Sequence, residues 1–157
     1  MNRPLGTPIR EPFSYRTDPE VPRFRDDRAI IIFDGHCGLC SGLVRFILRQ
    51  DRKDRFRLLP AQTPLGHPLY VHYGLNPREY ETNIRIEEGV VWFKSEGSIR
   101  LAERLGFPWS LIAALRLLPV PMRDGLYGIL ARNRLRWFGT RQACFLPDVR
   151  YADRFLK

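Results

Sequence analysis

The chain is poor in the features that assign a sequence to a class at once. Its 157 residues hold three cysteines and three histidines. Three cysteines are too few to staple a small secreted scaffold, so the fold must rest on a core of its own. No stretch reads as a membrane span: the apolar run at 109–120 is broken by Ser110 and Arg116 and is too short to cross a bilayer. Residues 1–28 show no apolar segment of the kind a secretion signal needs, and their five acids argue against a transit peptide. These absences set the expectation of a soluble, cytoplasmic protein. No internal repeat is present.

What is there is apolar material enough for one domain. The composition is 44% hydrophobic and 12% aromatic, which excludes a wholly disordered chain, and the length excludes two large domains. The formal charge is +9, and it is unevenly spread: residues 98–157 carry eleven basic and four acidic groups. This predicts a basic C-terminal face. Such a face is either a solvated arginine-rich surface or a contact for an anionic partner, and charge alone does not choose.

Hydrophobic periodicity divides the chain. Pro4, Pro8, Pro12, Pro19 and Pro22 make residues 1–28 an extended, flexible arm. Residues 29–33 read as a strand buried on both faces, 37–50 as a helix, and 56–59 as a second strand closed by Pro60. A strand, helix and strand in about thirty residues make a right-handed βαβ unit with parallel strands. Residues 61–76 are interrupted by Pro64, Gly66, Pro68 and Gly74, with 69–73 either a short helix or a loop. A hairpin follows, with strands at 83–86 and 90–94. Ser98 suits the N-cap of a helix at 99–105, and helical segments at 109–118 and 122–137 complete the chain. In the last, Met122, Leu126, Ile129 and Leu130 share a face that should point inward, leaving Arg123, Arg132, Arg134 and Arg136 largely off it.

The order of elements predicts an α/β fold, thioredoxin-like, with a βαβ half, a ββα half and additional C-terminal helices. The domain should cover 29–147, with a basic helical cap from about 107 and a tail at 148–157.

The sharpest motif is Cys37-Gly38-Leu39-Cys40, set where the first strand gives way to a helix. Two intervening residues in a helical first turn bring two sulfurs close enough to form a disulfide. The first thiol also meets unpaired backbone N–H groups and the positive end of the helix dipole, which favour its thiolate. Cys37 is therefore expected to be the solvent-side nucleophile and Cys40 the resolving thiol. His36 either stabilises the thiolate as an imidazolium or is a turn residue. Asp34 either caps the helix or exchanges protons with Cys40, since an acid at the end of a buried strand needs compensation. Cys144 is a buried structural thiol, a third redox cysteine, or a partner of Cys37, Cys40 and one of His36, His67 or His72 in a structural zinc site. No second ligand pair at short spacing supports zinc.

Residues 34–40, followed by Val44-Arg45-Phe46 and Asp51-Arg52, closely resemble the DCC family of predicted thiol-disulfide oxidoreductases, named for an Asp-Cys-Cys signature. The resemblance extends to Gly97-Ser98 with Ala102, to Leu118-Pro119-Val120-Pro121, and to Tyr127-Gly128-Ile129-Leu130-Ala131-Arg132-Asn133-Arg134, so that it covers about residues 29–147. Cys144 falls where members often carry a cysteine. The resemblance implies a thioredoxin-like fold and thiol-disulfide exchange, with Asp34, Cys37 and Cys40 as signature residues. One departure from thioredoxins is visible: Tyr80-Glu81-Thr82 stand where a cis-proline would precede the third strand, and the nearest proline is Pro77.

Two functions follow as expectations. One is an oxidoreductase acting on a protein or small-molecule disulfide or dithiol, with an unidentified redox partner and no bound cofactor, because the electrons reside in the sulfurs. The other is a binding or adaptor module that uses Arg116, Arg123, Arg132, Arg134, Arg136 and Arg141 to dock on an anionic partner or membrane surface. Stacking of bases on Trp137-Phe138 is the weaker use of those residues, and no specific nucleic acid is expected.

Overall fold

The computed structural model describes residues 11–76, 84–139 and 149–156. The five apolar residues of β1 (Ala29–Phe33) are all buried because β1 lies inside a four-stranded sheet. It pairs in parallel with β2 (Phe56–Pro60) on one side and antiparallel with β3 (Ile84–Glu87) on the other. β3 pairs in turn with β4 (Val90–Phe93), giving the order β2-β1-β3-β4. Alternation along β1 then serves two cores. Ile31 and Phe33 pack on the face covered by α1 (Gly38–Gln50), while Ile30 and Ile32 pack with Leu65, Leu69 and Tyr73 around α2 (Gly66–His72) on the other.

α1 is amphipathic for an evident reason. Cys40, Val44, Ile47 and Leu48 recur at helical spacing and are its buried apolar stripe. Each large aliphatic side chain so buried contributes about 1.5–3 kcal/mol. The hairpin between β3 and β4 closes on Glu88 and Gly89, both with positive φ, the backbone a two-residue primed turn requires. Gly89 has a second constraint, since a Cβ there would come within 2.6 Å of Phe13.

The βαβ and ββα halves stand as expected, and the fold is thioredoxin-like α/β. Several boundaries move. α3 (Lys94–Leu105) begins directly after β4, so Ser98 is an interior residue of the helix and not its cap. Residues Trp109–Leu117 form a 3-10 helix with no buried residue. Residues 77–83, with the position where a cis-proline is expected, lie outside the described residues; the cis bond among those described is Phe107–Pro108.

The arm is not a free extension over its described part. Proline denies residues 11–28 a long helix, yet Tyr15 and Val21 are buried in the core beside α2. His72 ties the arm down further: its Nδ1 lies 2.6 Å from Asp18 Oδ2, and its Nε2 lies 2.8 Å from Ser14 Oγ. The tail is likewise engaged from Val149 on. Phe155 makes a parallel bridge to Leu58 and Leu156 N–H donates to the Leu58 carbonyl, so the tail covers the free edge of β2.

The basic cap is also corrected. In α4 (Val120–Phe138) the expected inner face, Met122, Leu126, Ile129 and Leu130, is exposed, whereas Arg123 and Arg134 are buried. The side of α4 that lines a cavity against the domain is Arg123, Leu126, Tyr127, Leu130, Ala131 and Arg134, so Leu126 and Leu130 of the expected face do border it while Met122 and Ile129 do not. Two arginines therefore bracket the side of α4 that meets the domain.

Candidate active site

The site forms where β1 ends. Past Phe33 the chain must turn before α1, and Asp34 organises that turn: its Oδ1 accepts from His36 N–H at 2.9 Å and from Gln62 Nε2 at 2.7 Å. Gln62 answers by accepting Gly35 N–H at 3.0 Å through its Oε1. Asp34 thus does not cap the helix. The cap is Cys37, whose backbone is extended and whose sulfur accepts the N–H of Cys40 at 3.4 Å.

Both Cys37 and Cys40 are free thiols, and both are buried. The expectation of a solvent-side Cys37 is not met, because Cys37 is 0% exposed. The physical reason is the end of α4. Gly38 N–H donates to the Gly139 carbonyl at 3.2 Å, and a Cβ on Gly38 would sit 2.4 Å from the Phe138 carbonyl oxygen. The first residue between the cysteines is glycine because a helix end passes directly over it.

Asp34 has a third partner. Arg134 donates from a terminal guanidinium nitrogen to Asp34 Oδ2 at 3.1 Å, and both side chains are buried. The pair puts a cation beside the dithiol and anchors α4 to the turn. The two thiols respond in opposite directions. The Cys40 thiol hydrogen-bonded to Cys37 brings the Cys37 pKa from the usual 9.0 down to about 6, helped by the N–H groups of Cys40 and Leu39 and by the charge of Arg134, against the effect of burial. Donating that hydrogen bond pushes the Cys40 pKa far up, and its burial and the neighbouring Cys37 charge push it further. This is one thiolate and one proton donor held side by side.

Cys40 also forms part of the wall of a partly open cavity of about 440 Å³ between α1, α3, α4 and the 3-10 helix. Its lining is mainly apolar, with Leu39, Leu43, Ile99 and Leu130 among it, and includes Arg123 and Arg134. A larger recess of about 600 Å³, lined by Asp26, Arg28, Asp54 and Arg104 among others, contains neither cysteine. Chemistry places the site at the smaller one.

Of the residues singled out by sequence, the structure brings Asp34, Cys37 and Cys40 together. His36 stands in the turn, half-buried, with its N–H on Asp34. Cys144 lies outside the described residues. His67 is exposed and His72 is committed to Ser14 and Asp18. Among the described residues no group of three or more His, Cys, Asp or Glu side chains could hold a metal, and no helix is long and apolar enough to cross a membrane. Sequence reading missed Gln62, and it assigned Arg123 and Arg134 to a surface for an anionic partner, not to this site. The signal for the arginines was their own spacing, eleven residues or three turns along one helix face.

The chain is similar to the uncharacterized protein YuxK of Bacillus subtilis (strain 168), 35% identical over 127 residues that cover 81% of this chain and 93% of the relative. It is also similar to the chloroplastic DCC family protein At1g52590 of Arabidopsis thaliana, 32% identical over 122 residues, 77% of this chain and 71% of the relative. No solved structure matches. The family model for DCC1-like thiol-disulfide oxidoreductase matches residues 31–140, a span that begins within β1 and takes in the dithiol, Asp34 and Arg134, and the chain belongs to that family.

Proposed function

We propose that the protein catalyses thiol-disulfide exchange, with Cys37 as nucleophile, Cys40 as resolving thiol, and Asp34 and Arg134 as the pair that tunes them. The observation that carries this reading is the split between two adjacent sulfurs, one favoured as thiolate and the other as thiol. The Cys37 thiolate attacks one sulfur of a substrate disulfide, forming a mixed disulfide and releasing the other sulfur as a thiolate. Cys40 then gives up its proton and attacks the Cys37 sulfur. A Cys37–Cys40 disulfide forms and the second substrate thiol leaves, so two electrons pass from the protein to the substrate. No bound cofactor is needed for this cycle. For a protein disulfide to reach Cys37, the end of α4 at Phe138 and Gly139 must lift away.

The test is a redox titration of the full chain with mass mapping of Cys37, Cys40 and Cys144. A Cys37–Cys40 disulfide that forms and is reduced reversibly is expected. Failure of either thiol to cycle at accessible potentials overturns the reading.

A second reading is docking of the same domain on an anionic membrane surface. It is favoured by α4, where Arg132 and Arg136 are exposed beside the exposed Met122, Leu126, Ile129 and Trp137. Flotation with anionic vesicles that is lost at high salt and unaffected by Cys37→Ser supports it. Flotation absent at low salt removes it.

A further inference from the structure

Strand β3 carries a charged residue into the interior. Ile84 and Ile86 pack on the α2 side of the sheet, so Arg85 between them belongs to the opposite face. There it is paired with Ile31 of β1 on one side and Trp92 of β4 on the other, and it is 3% exposed. Its Nη2 donates to Glu87 Oε2 at 2.5 Å, while Nε and Nη1 are buried with no hydrogen-bond acceptor. Donors are thus left unspent on a buried cation, an arrangement that costs free energy unless an acceptor reaches them.

The charge around Arg85 is also out of balance. Glu87 serves a second arginine, because its Oε1 lies 2.5 Å from Arg104 Nη2, so two cations share one carboxylate. Glu103, the other acid that favours the Arg85 charge, is paired with Arg116. Burial, with the charges of Arg104 and Arg100, lowers the Arg85 pKa from 12.5 to about 10 in spite of Glu87. Arg85 therefore remains a cation at neutral pH, in surroundings that lack negative charge.

Arg85 lines a small cavity of about 30 Å³, together with Ile31, Leu43, Ile84, Ser98 and Leu101. One water needs about 10–15 Å³, so the space takes a group of one or two atoms and no larger ligand. Leu43 and Ser98 also line the wide cavity at Cys40, so the two adjoin and the small one is reached from there.

We infer that this small cavity is a binding site for one monatomic anion, of the size of chloride or bromide, held by Arg85 Nε and Nη1. A water in the same place could accept from the guanidinium, but it must then donate its own protons, and Ile31, Leu43, Ile84 and Leu101 offer side chains with no acceptor. A halide accepts without donating and supplies the negative charge that Glu87 alone does not. Sulfate is too large for the space. The site is independent of the dithiol chemistry, and its occupant stabilises the sheet where α1 and α3 cover it.

The test compares the full-length protein with Arg85→Met, which keeps an unbranched apolar side chain there and leaves Glu87 its pair with Arg104. Thermal unfolding is followed in sodium sulfate, chloride and bromide at equal ionic strength. On passing from sulfate to either halide, the wild type should gain about 3 °C relative to the variant, a comparison that cancels the general effect of each salt on burial. In crystals soaked in sodium bromide, an anomalous peak is expected beside Arg85 Nε and Nη1, and this measurement decides the matter alone should Arg85→Met fail to fold. An equal salt response in the two proteins overturns the inference. So does an ordered water beside Arg85, or no anomalous peak there, at high bromide.

Discussion

Arg134 and Asp34 are one hundred positions apart in sequence and 3.1 Å apart in the structure, where they form a buried ion pair beside the dithiol. Burial makes the pair expensive to break from one side. Arg134→Gln leaves the Asp34 carboxylate buried beside Gln62 and His36 N–H without its cation, at a cost of about 3–5 kcal/mol. Asp34→Asn should cost less, because an amide oxygen can still accept from His36 and Gln62. Chemical denaturation of the two variants and of the double variant measures this, and a coupling energy near zero would show that the contact carries no stability. Asp34→Asn also separates the two roles given to that acid. If exchange keeps its rate while stability falls, a proton relay through Asp34 is excluded.

The Cys37 thiolate makes a second prediction, on pH. Its pKa is held at about 6 chiefly by the hydrogen bond from the Cys40 thiol. Thiolate ultraviolet absorbance of the reduced Cys144→Ser protein should rise by one group around that pH, well below the usual thiol range, and show no second thiol step until strongly alkaline pH because Cys40 keeps its proton. The sign with respect to folding follows. A depressed pKa adds stability that is present in full above the unfolded value and disappears as pH falls through 6. Cys40, shifted the other way, opposes it in the alkaline range by retaining a proton that the unfolded chain gives up. Cys40→Ala should move the Cys37 step upward and Arg134→Gln should do so to a smaller extent. A first midpoint near 9 in that protein would remove the basis for Cys37 as nucleophile.

How much of this was legible in the sequence depends on the range of the interaction. The strand before Asp34, the stripe of Val44, Ile47 and Leu48, and the turn at Glu88-Gly89 are local patterns, and the structure keeps them. The CxxC at a strand-to-helix junction was legible for the same reason. Arg134 was not, because nothing local says that a helix carrying apolar residues at Leu126, Ile129 and Leu130 will leave those exposed and bury Arg123 and Arg134. Hydropathy assumes that charge seeks water. Here Asp34 offers a buried partner that repays desolvation, and only the folded chain brings the two together. The engaged arm and tail escaped notice on similar grounds: Tyr15 and Phe155 are single apolar anchors in polar surroundings, too sparse to form a period.

Gly38 tests the covering of the dithiol. A methyl group there meets the Phe138 carbonyl oxygen at 2.4 Å, a backbone atom that cannot rotate away. Gly38→Ala should therefore push the end of α4 off α1, breaking the Gly38 to Gly139 hydrogen bond and costing about 1–3 kcal/mol as overpacking does. The better helix propensity of alanine offsets up to about 1 kcal/mol of that. The more telling readout is alkylation. Cys37 in this variant should react with iodoacetamide several-fold faster than in wild type at the same pH, because access improves while its hydrogen bonds remain. An unchanged rate would mean that α4 does not shield the thiolate.

The tail gives the last prediction. Arg154 sits between Asp51 and Asp54, pairing with both, and donates to the Phe56 carbonyl at 3.3 Å. Asp51 is the more deeply buried, and it also accepts the N–H groups of Arg55 and Phe56. Arg154 thus neutralises the acid that shapes the turn between α1 and β2. Arg154→Gln should lower stability by about 3–5 kcal/mol, as loss of one partner from a buried pair does. A chain truncated after residue 148 should lose at least as much, since Phe155 and the Leu156 to Leu58 hydrogen bond go with it. Acid sensitivity gives an independent check. Hydrogen bonding from Arg57 and the charges of Arg154 and Arg28 hold the Asp54 carboxyl below 3.8, so its share of stability is present above that pH and fades as pH falls through the lowered value. Thermal unfolding should be nearly flat from pH 7 to pH 4 in this respect and drop below it, with the drop shallower in Asp54→Asn. A truncated chain that melts at the wild-type temperature would show that the tail merely rests on β2.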